Sequence, residues 1–364
     1  MPPMLLIPQQ LAYSHSQINL NSNTPQVSAS LTTIREDVAE ETAVSLTPAM
    51  PQDVTRSIQP THAPSLLNPV LPPCSQIPQG QLRPNLLPTP IRAHRLSHYL
   101  RGYDPSLTRY LVNGFSYGFT ISSLSVDPND PSKNLHSAYQ YPQVVNKKLS
   151  SEMDLGRIAG PFKSPPLPDM VFSPLGLQPK KVQGQFRVIH HLSYPQGHSV
   201  NDGIPREYAS VKYASVGQAI QQIVQVGQGC FLAKTDVKSA FRIIPVNPKD
   251  YHLLGFYWEG QYFYDKCLPM GCSSSCSIFE AFSTSLEWII KQRLTHVSVL
   301  HILDDFLFIA PTLKLCSAAL SLFEAICRDI GYPSGSGENY RPISVPRVCR
   351  YTPRYSRHVC KPAS

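Results

Sequence analysis

The chain has 364 residues, a formal net charge of +8 and 36 prolines, about twice the average usage. No stretch approaches the roughly 18 uninterrupted apolar residues of a membrane-spanning helix. The N-terminus, "MPPMLLIPQQ", lacks the basic start and the continuous apolar core of a secretory signal. We therefore expect an intracellular protein, in the cytoplasm or the nucleus, with no membrane partner. The modest basic excess is compatible with a polyanionic ligand but does not identify one.

Residues 1–90 are rich in Pro, Ser, Thr, Gln and Asn, as in "NLNSNTPQVSASLTT". Such a composition cannot bury enough apolar surface to offset the entropy lost on ordering, so we predict a long disordered segment. Its proline-rich pieces are interpreted as a linker. The alternative is that they bind partner domains.

Residues 91–160 predict a helical N-terminal extension. Two short helices are expected on either side of a break at Asp104-Pro105, because apolar residues recur at helical spacing. These residues are Leu96, Tyr99, Leu100, Leu107, Tyr110 and Leu111. The stretch "NLHSAYQYPQVVNKKLSSEMDLGRIAG" predicts a further helix.

Residues 161–333 predict an α+β domain in which an antiparallel sheet packs with helices. Strands are expected in "GQFRVIHHLS" and "CFLAKTDVKSAFRIIPV", with a short extended piece near "VFSPLGLQPK". The stretch "YHLLGFYWEGQYFYDK" predicts a hairpin around Glu259-Gly260. Buried helices are expected in "SSCSIFEAFSTSLEWIIKQRL" and "LKLCSAALSLFEAICRDIG", with a strand–turn–strand unit between them. This irregular alternation is typical of an α+β domain.

Three carboxylates lie at strand or hairpin positions of this domain. Asp236 ends one predicted strand, and Asp304 and Asp305 lie in the tight turn of "VLHILDDFLFIAP". A hairpin beside a strand can bring Asp236 and Asp304 close together, and magnesium is the natural counter-charge for such a pair. Two ions about 4 Å apart would activate a 3′-hydroxyl and stabilise a leaving pyrophosphate. The alternative is a solvent-facing turn capped by two aspartates, which the apolar flanks disfavour.

Several motifs resemble those of reverse transcriptases, in the same order and at similar spacing. "KTDVKSAF" (Lys234–Phe241), "LPMGCSSSCSIFEAF" (Leu268–Phe282) and "ILDDFLF" (Ile302–Phe308) resemble motifs A, B and C. The stretch from Ser173 to Pro205 resembles the fingers region. The sequence of these motifs is most similar to that of DIRS-type (tyrosine-recombinase) retrotransposons. The similar stretches are "LGRIAGPF", "FRVIHHLSYP" and "CLPMGCSSSCSIFE". The resemblance runs from about residue 95 to 333 and implies a right-hand polymerase palm and fingers.

The resemblance also implies the residues of a catalytic site. Asp236 and Asp304 would bind the metal ions, Mg²⁺ or Mn²⁺, with Asp305 beside them as a supporting carboxylate. Phe241 would lie under the incoming sugar, where an aromatic ring excludes a 2′-hydroxyl by its bulk.

Nucleotide-binding residues are implied in the same way. Arg187 would contact the triphosphate, a bidentate task that suits a planar guanidinium, and Lys180 or Lys181 would contact it from the same hairpin. Met270 and Gly271 would begin the helix that flanks the nucleotide. The implied partners are an RNA template, a DNA primer and deoxynucleoside triphosphates.

The C-terminal sequence departs from the family. Residues 334–364 predict an irregular basic tail, where the family continues with a lysine motif, a primer grip, a thumb and an RNase H domain. "GENYRP" (Gly337–Pro342) can be encoded by GGA GAA AAC TAT AGG CCC, and a reading one nucleotide later gives "EKTIG". We therefore expect truncation after the palm motifs, no thumb, and a frameshifted tail, which sequencing of the gene tests.

Three functions remain for comparison. The favoured one by ancestry is a retrotransposon-derived reverse transcriptase domain that synthesises DNA on a template by two-metal nucleotidyl transfer. The second is a catalytically inactive, truncated relic of the same fold, which lacks the parts that grip primer and template. The third is a proline-rich protein that binds nucleic acid without catalysis. The sequence does not decide whether the chain is an active RNA-directed DNA polymerase.

Overall fold

A computed structural model describes Leu71 and residues 87–124, 126–180, 184–235, 240–332 and 343–344, all within one unit of the chain, Leu67–Ser364. The predicted disorder of the N-terminus, the predicted roles of Asp236 and Lys181, and most of the predicted tail fall outside these residues.

The described part of the chain contains helices and strands in irregular alternation. Its α-helices are α1 (Ala93–Tyr99), α2 (Pro105–Tyr117), α3 (His136–Gln140), α4 (Pro142–Asp154), α5 (Arg206–Ala209), α6 (Val216–Val226), α7 (Ser275–Lys291) and α8 (Leu313–Ile330). Its strands are β1 (Ile158–Phe162), β2 (Leu175–Pro179), β3 (Phe186–His190), β4 (Phe231–Thr235), β5 (Gly255–Trp258), β6 (Gln261–Asp265), β7 (Ser298–Ile302), β8 (Asp305–Ala310) and β9 (Ile343–Ser344). Two 3₁₀ segments occupy Ala240–Ile243 and Pro248–Leu254.

The described strands form three sheets. The largest has the order β7-β8-β4-β9, a second has the order β1-β6-β5, and β2 and β3 form a separate hairpin. Each of these strand ladders is antiparallel. The predicted α+β class with an antiparallel sheet is therefore confirmed.

The predicted helical extension contains four helices. The break at Asp104-Pro105 is confirmed, since the Asp104 side chain caps α2 by accepting the Leu107 N–H at 2.8 Å. The single helix expected next is two helices, α3 and α4, separated at Tyr141. Tyr141 precedes Pro142, and the proline ring disfavours the helical conformation in the residue before it.

The extension is joined to the domain that follows. Its last residues enter β1, which pairs with β6 through Ile158 and Asp265. At its start, the Arg92 N–H donates to the Ile330 carbonyl at the end of α8, at 2.8 Å. The extension and the domain therefore share a sheet and a core, although the sequence treats them as separate segments.

The main hydrophobic core lies between α7, α8 and the β7-β8-β4 sheet. The four apolar positions predicted for the buried face of α7 are all buried, and α1 and α2 add apolar residues to the same cluster. The four are Phe279, Phe282, Leu286 and Ile290. A second cluster joins α3 and α4 to β1, β2, β5 and β6.

Two strand features complete the comparison with the sequence. The predicted β5–β6 hairpin is confirmed, and its turn residues Glu259 and Gly260 have positive φ angles of 45° and 80°. Strand β9, which pairs with Phe231 and Leu232 of β4, is an element of the C-terminal segment that the sequence analysis does not predict.

Among the described helices, none combines the length and the apolar character needed to cross a membrane.

Candidate functional site

The two adjacent aspartates lie at the tip of the β7–β8 hairpin. Ile302 pairs with Asp305, so the connecting turn consists of Leu303 and Asp304. Asp305 is the first residue of β8 and not, as the sequence suggests, a turn residue. Leu303 has a φ angle of 53°, in a position of a two-residue hairpin turn that favours glycine. Both carboxylates are half-buried.

Strand β4 ends beside this hairpin. Thr235, its last residue, pairs with Phe306, the residue after Asp305. Asp236 follows Thr235 in the sequence and lies outside the described residues. The structure therefore brings Asp304 and Asp305 together next to the end of β4, and the role of Asp236 stays a prediction.

A lysine of β4 pairs with the hairpin. Lys234 lies opposite Leu307, and its Nζ is 3.0 Å from Oδ1 of Asp305, two residues earlier on the same face of β8. The side chains are 32% and 27% exposed. Because Phe306 and Phe308 point into the core, alternation along β8 places Asp305 on the opposite, more open face of the sheet.

On the core side, His301 of β7 lies between two glutamates of α7. Its Nε2 is 3.2 Å from Oε1 of Glu280, and its Nδ1 contacts Oε2 of Glu287. Burial disfavours a charged ring here, but the two carboxylates raise the pKa of His301 to about 9. Oε2 of Glu280 also accepts the Leu303 N–H at 3.2 Å. We call Glu280, Glu287 and His301 the hairpin cluster.

The predicted triphosphate-binding residues lie on the β2–β3 hairpin. Arg187 pairs with Gln178, and Lys180 follows β2 and is exposed. Phe186 and Val188 pack against the second hydrophobic cluster, so alternation along β3 places Arg187 on the other face of the hairpin.

Strand β3 ends against Met270 and Gly271. The His190 N–H donates to the Met270 carbonyl at 3.2 Å. Gly271 has a φ angle of 124°, and a Cβ atom there would lie 2.2 Å from the His190 carbonyl oxygen, so only glycine fits. Met270 and Gly271 precede α7, which begins at Ser275, rather than begin it as predicted. The positive φ of Gly271 is incompatible with a helix start at this position.

Asn201 fixes the same loop and has no role in the sequence analysis. Its Nδ2 donates to the Gly271 carbonyl at 2.7 Å, and its Oδ1 accepts the Ser273 N–H at 2.9 Å. Asn201 lies in a turn-rich stretch where asparagine is common, so the sequence carries no distinct signal for this contact.

Phe241 lies in the 3₁₀ segment that follows the undescribed residues 236–239. It is 8% exposed, and its ring meets that of Phe279 of α7 edge to face at 5.5 Å. Most of the ring therefore packs in the core, and only a small part is available to a ligand.

Beside Phe241, Arg242 holds two buried carboxylates. Its Nε is 2.9 Å from Oε2 of Glu152 in α4, and its Nη2 is 2.7 Å from Oδ1 of Asp265 in β6. Oδ2 of Asp265 is 3.1 Å from Nδ1 of His190, whose Nε2 contacts the Gly255 carbonyl. Although burial opposes ionisation, the Arg242 guanidinium lowers the pKa of both Asp265 and Glu152. We call Glu152, His190, Arg242 and Asp265 the junction cluster.

The described carboxylates at the hairpin tip suit a hard divalent cation. Carboxylate oxygens are the ligands that Mg²⁺ prefers, and Asp304 and Asp305 are half-buried at the end of the β7–β8 hairpin. Among the described residues, no group of three or more His, Cys, Asp or Glu side chains is arranged around a common metal position. The two aspartates therefore fit as part of a ligand set.

One protein family matches this part of the chain. Residues 179–333 match the family model of the reverse transcriptase (RNA-dependent DNA polymerase). This segment, less than half of the chain, is similar to reverse transcriptase domains. The matched segment contains the β7–β8 hairpin with Asp304 and Asp305, as well as Arg187, Phe241 and Gly271.

Solved structures of foamy viral proteins are similar to the chain. The native prototype foamy virus protease-reverse transcriptase has a TM-score of 0.45 at 19% identity, and the match covers 59% of this chain and 26% of that one. A foamy viral protease-reverse transcriptase dRH in complex with ds DNA has a TM-score of 0.45 at 15% identity, with 71% and 45% covered. Another complex with dsDNA has a TM-score of 0.44 at 15% identity, with 70% and 52% covered. The chain thus spans about a quarter to a half of these proteins, and no curated protein sequence matches it.

Proposed function

We propose that the chain is a reverse transcriptase domain derived from a DIRS-type retrotransposon, and that it synthesises DNA on an RNA template from a DNA primer and deoxynucleoside triphosphates. The observation that carries the proposal is the hairpin tip inside the matched domain. There, Asp304 and Asp305 lie side by side, half-buried, next to the end of the strand that precedes Asp236.

In this proposal Asp236, Asp304 and Asp305 hold Mg²⁺ or Mn²⁺. When bound, the cation lowers the pKa of a primer 3′-hydroxyl and neutralises charge on the leaving pyrophosphate. The hairpin supplies the rigidity, because the apolar residues of β7 and β8 hold it against α7 and α8. Lys234 Nζ, 3.0 Å from Oδ1 of Asp305, places a positive charge beside the two adjacent carboxylates.

The nucleotide is proposed to lie between the β2–β3 hairpin and the loop before α7. Arg187, with Lys180 or Lys181, donates hydrogen bonds to the triphosphate. Phe241 limits the space at the sugar, and Met270 and Gly271 line the nucleotide. The contacts of His190 and Asn201 with this loop support the arrangement, since they fix its backbone against β3.

Primer extension with purified full-length chain tests the proposal. On poly(rA)/oligo(dT) with Mg²⁺ we expect synthesis by the wild type, and a loss of at least about a hundredfold for Asp304→Asn, because the amide is a far weaker metal ligand. The matched control is Asp130→Asn, which neutralises an exposed aspartate before the matched domain and should leave synthesis unchanged.

The assay also separates the alternatives. Absence of synthesis by the wild type, with RNA binding retained, would favour an inactive relic or a nucleic-acid-binding protein without catalysis. Equal synthesis by the wild type and Asp304→Asn would exclude the proposed site.

A further inference from the structure

The turn that presents the two aspartates has a backbone conformation that its own sequence does not favour. Leu303 has a φ angle of 53°, where a side chain costs roughly 1–2 kcal/mol relative to glycine. Such a residue persists only where its surroundings fix it. Leu303 is 8% exposed, so its side chain is anchored in the core. A second contact is needed to fix the orientation of its peptide groups.

Glu280 makes that second contact. Oε2 of Glu280 accepts the Leu303 N–H at 3.2 Å, while Oε1 of the same carboxylate lies 3.2 Å from Nε2 of His301. Glu280 is 7% exposed and His301 is 8% exposed, so water does not compete for either contact. One carboxylate therefore joins the α7 helix, the β7 strand and the turn.

Glu287 contacts the other side of the histidine ring. Its Oε2 meets Nδ1 of His301, and its Oε1 pairs with Lys291 one helical turn further along α7. Of the two glutamates that hold His301, Glu280 is the one that accepts the Leu303 N–H. Substitutions at Glu280 and at Glu287 can therefore distinguish an effect on helix–strand packing from an effect on the turn.

We infer that Glu280 is a positioning residue that joins the Leu303 N–H to the His301 ring and so fixes the turn that presents Asp304 and Asp305. His301 acts through Glu280, because its N–H holds the carboxylate in the orientation that reaches Leu303. The consequence for catalysis rests on the proposed function, whereas the effect on the turn does not.

Hydrogen exchange of the Leu303 amide in the full chain, without metal, tests the inference directly. Glu280→Met keeps the length of the side chain but lacks an acceptor, and exchange at Leu303 should become at least about tenfold faster. Glu280→Gln keeps an acceptor oxygen and should restore protection to within about threefold of the wild type. The matched control, Glu287→Gln, should leave Leu303 within about twofold. Glu280→Ala is a second variant without an acceptor in case the methionine does not fit.

The exchange results decide the inference. Unchanged exchange in both variants without an acceptor would overturn it, as would an equal acceleration in Glu287→Gln. Thermal unfolding of each variant confirms that the comparison is made between folded chains.

Mg²⁺ dependence of primer extension links the turn to the proposed site. Glu280→Met should raise the half-saturating Mg²⁺ concentration by about tenfold, and Glu287→Gln should not, because changes behind a metal ligand typically weaken the metal site by 10–100-fold. Absence of synthesis in the wild type would count against the proposed function alone, since the exchange result at Leu303 stands without it.

Discussion

Two buried charge clusters use the same electrostatic arrangement with different cations. In the junction cluster, Arg242 lies between Glu152 and Asp265, and in the hairpin cluster, His301 lies between Glu280 and Glu287. An arginine stays charged at any pH at which a protein folds, whereas a histidine can lose its proton. The junction cluster is therefore a permanent connection between α4 and β6. In the hairpin cluster the charge of the histidine depends on pH. This cluster lies directly behind the turn that carries Asp304 and Asp305.

The largest expected effect comes from breaking the junction cluster. Arg242→Met should lower the free energy of unfolding by roughly 3–5 kcal/mol, because buried Asp265 loses its arginine and buried Glu152 loses one of its cations. Glu152 keeps Lys148 at 2.9 Å and the more distant Arg157 at 3.8 Å. Urea denaturation measures this loss. The matched control is Arg101→Met, a change of an exposed arginine, which should cost less than about 0.5 kcal/mol.

A second variant sharpens the result for the junction cluster. Combining Arg242→Met with Asp265→Asn removes the buried carboxylate that loses its arginine and should recover part of the lost stability. A cost for Arg242→Met as small as that for Arg101→Met would show that this cluster does not connect the helical extension to the domain.

The hairpin cluster should make stability depend on pH. The pKa of His301 is raised to about 9 in the folded chain, above its usual value of 6.5, so the folded state binds the extra proton between these values. Its contribution is fully present below pH 6.5 and is lost as the pH rises through 9, a loss of about 3 kcal/mol. Glu152, Asp265 and Arg242 of the junction cluster stay ionised throughout this window, because their pKa values shift away from it.

Unfolding free energies at pH 6 and pH 8 measure this dependence, because buried cysteines such as Cys267 and Cys316, whose thiol pKa values burial raises, add their own pH dependence above pH 8. His301→Gln should remove most of the difference between the two pH values, and His136→Gln, at an exposed histidine, should keep it. A pH dependence that survives His301→Gln would mean that another group accounts for it.

The sequence predicts the elements of this fold better than their connections. Helix α7 and the β5–β6 hairpin follow from apolar periodicity and from one turn, both of which are local signals. Glu152, Arg242 and Asp265 are far apart in sequence, and nothing in their neighbours marks them as partners. Their pairing depends on β1 joining β6, a tertiary contact that no local pattern encodes.

The candidate site shows the same difference between local sequence signals and tertiary contacts. The adjacent aspartates stand out because apolar strands flank them, and the motifs around them lie in the segment that matches the reverse transcriptase family model. Glu280 and His301 lie within or beside those motifs, yet each reads as an ordinary polar residue of a helix or a strand. Only the packing of α7 against β7 shows that they share a carboxylate–imidazole contact behind the turn.

The smallest expected effect concerns the open face of the hairpin. The ion pair between Lys234 and Asp305 is partly exposed, so Lys234→Met should change the free energy of unfolding by less than about 1 kcal/mol. The matched control, Lys314→Met, changes an exposed lysine at the start of α8.

Mg²⁺ binding should respond to Lys234→Met more than stability does, because Lys234 and the cation compete for Asp305. Binding measured by titration should therefore tighten in Lys234→Met and stay constant in Lys314→Met. A large loss of stability in Lys234→Met would show that this partly exposed ion pair contributes as much to stability as the buried clusters do. The two faces of the hairpin would then not differ in the strength of their ion pairs.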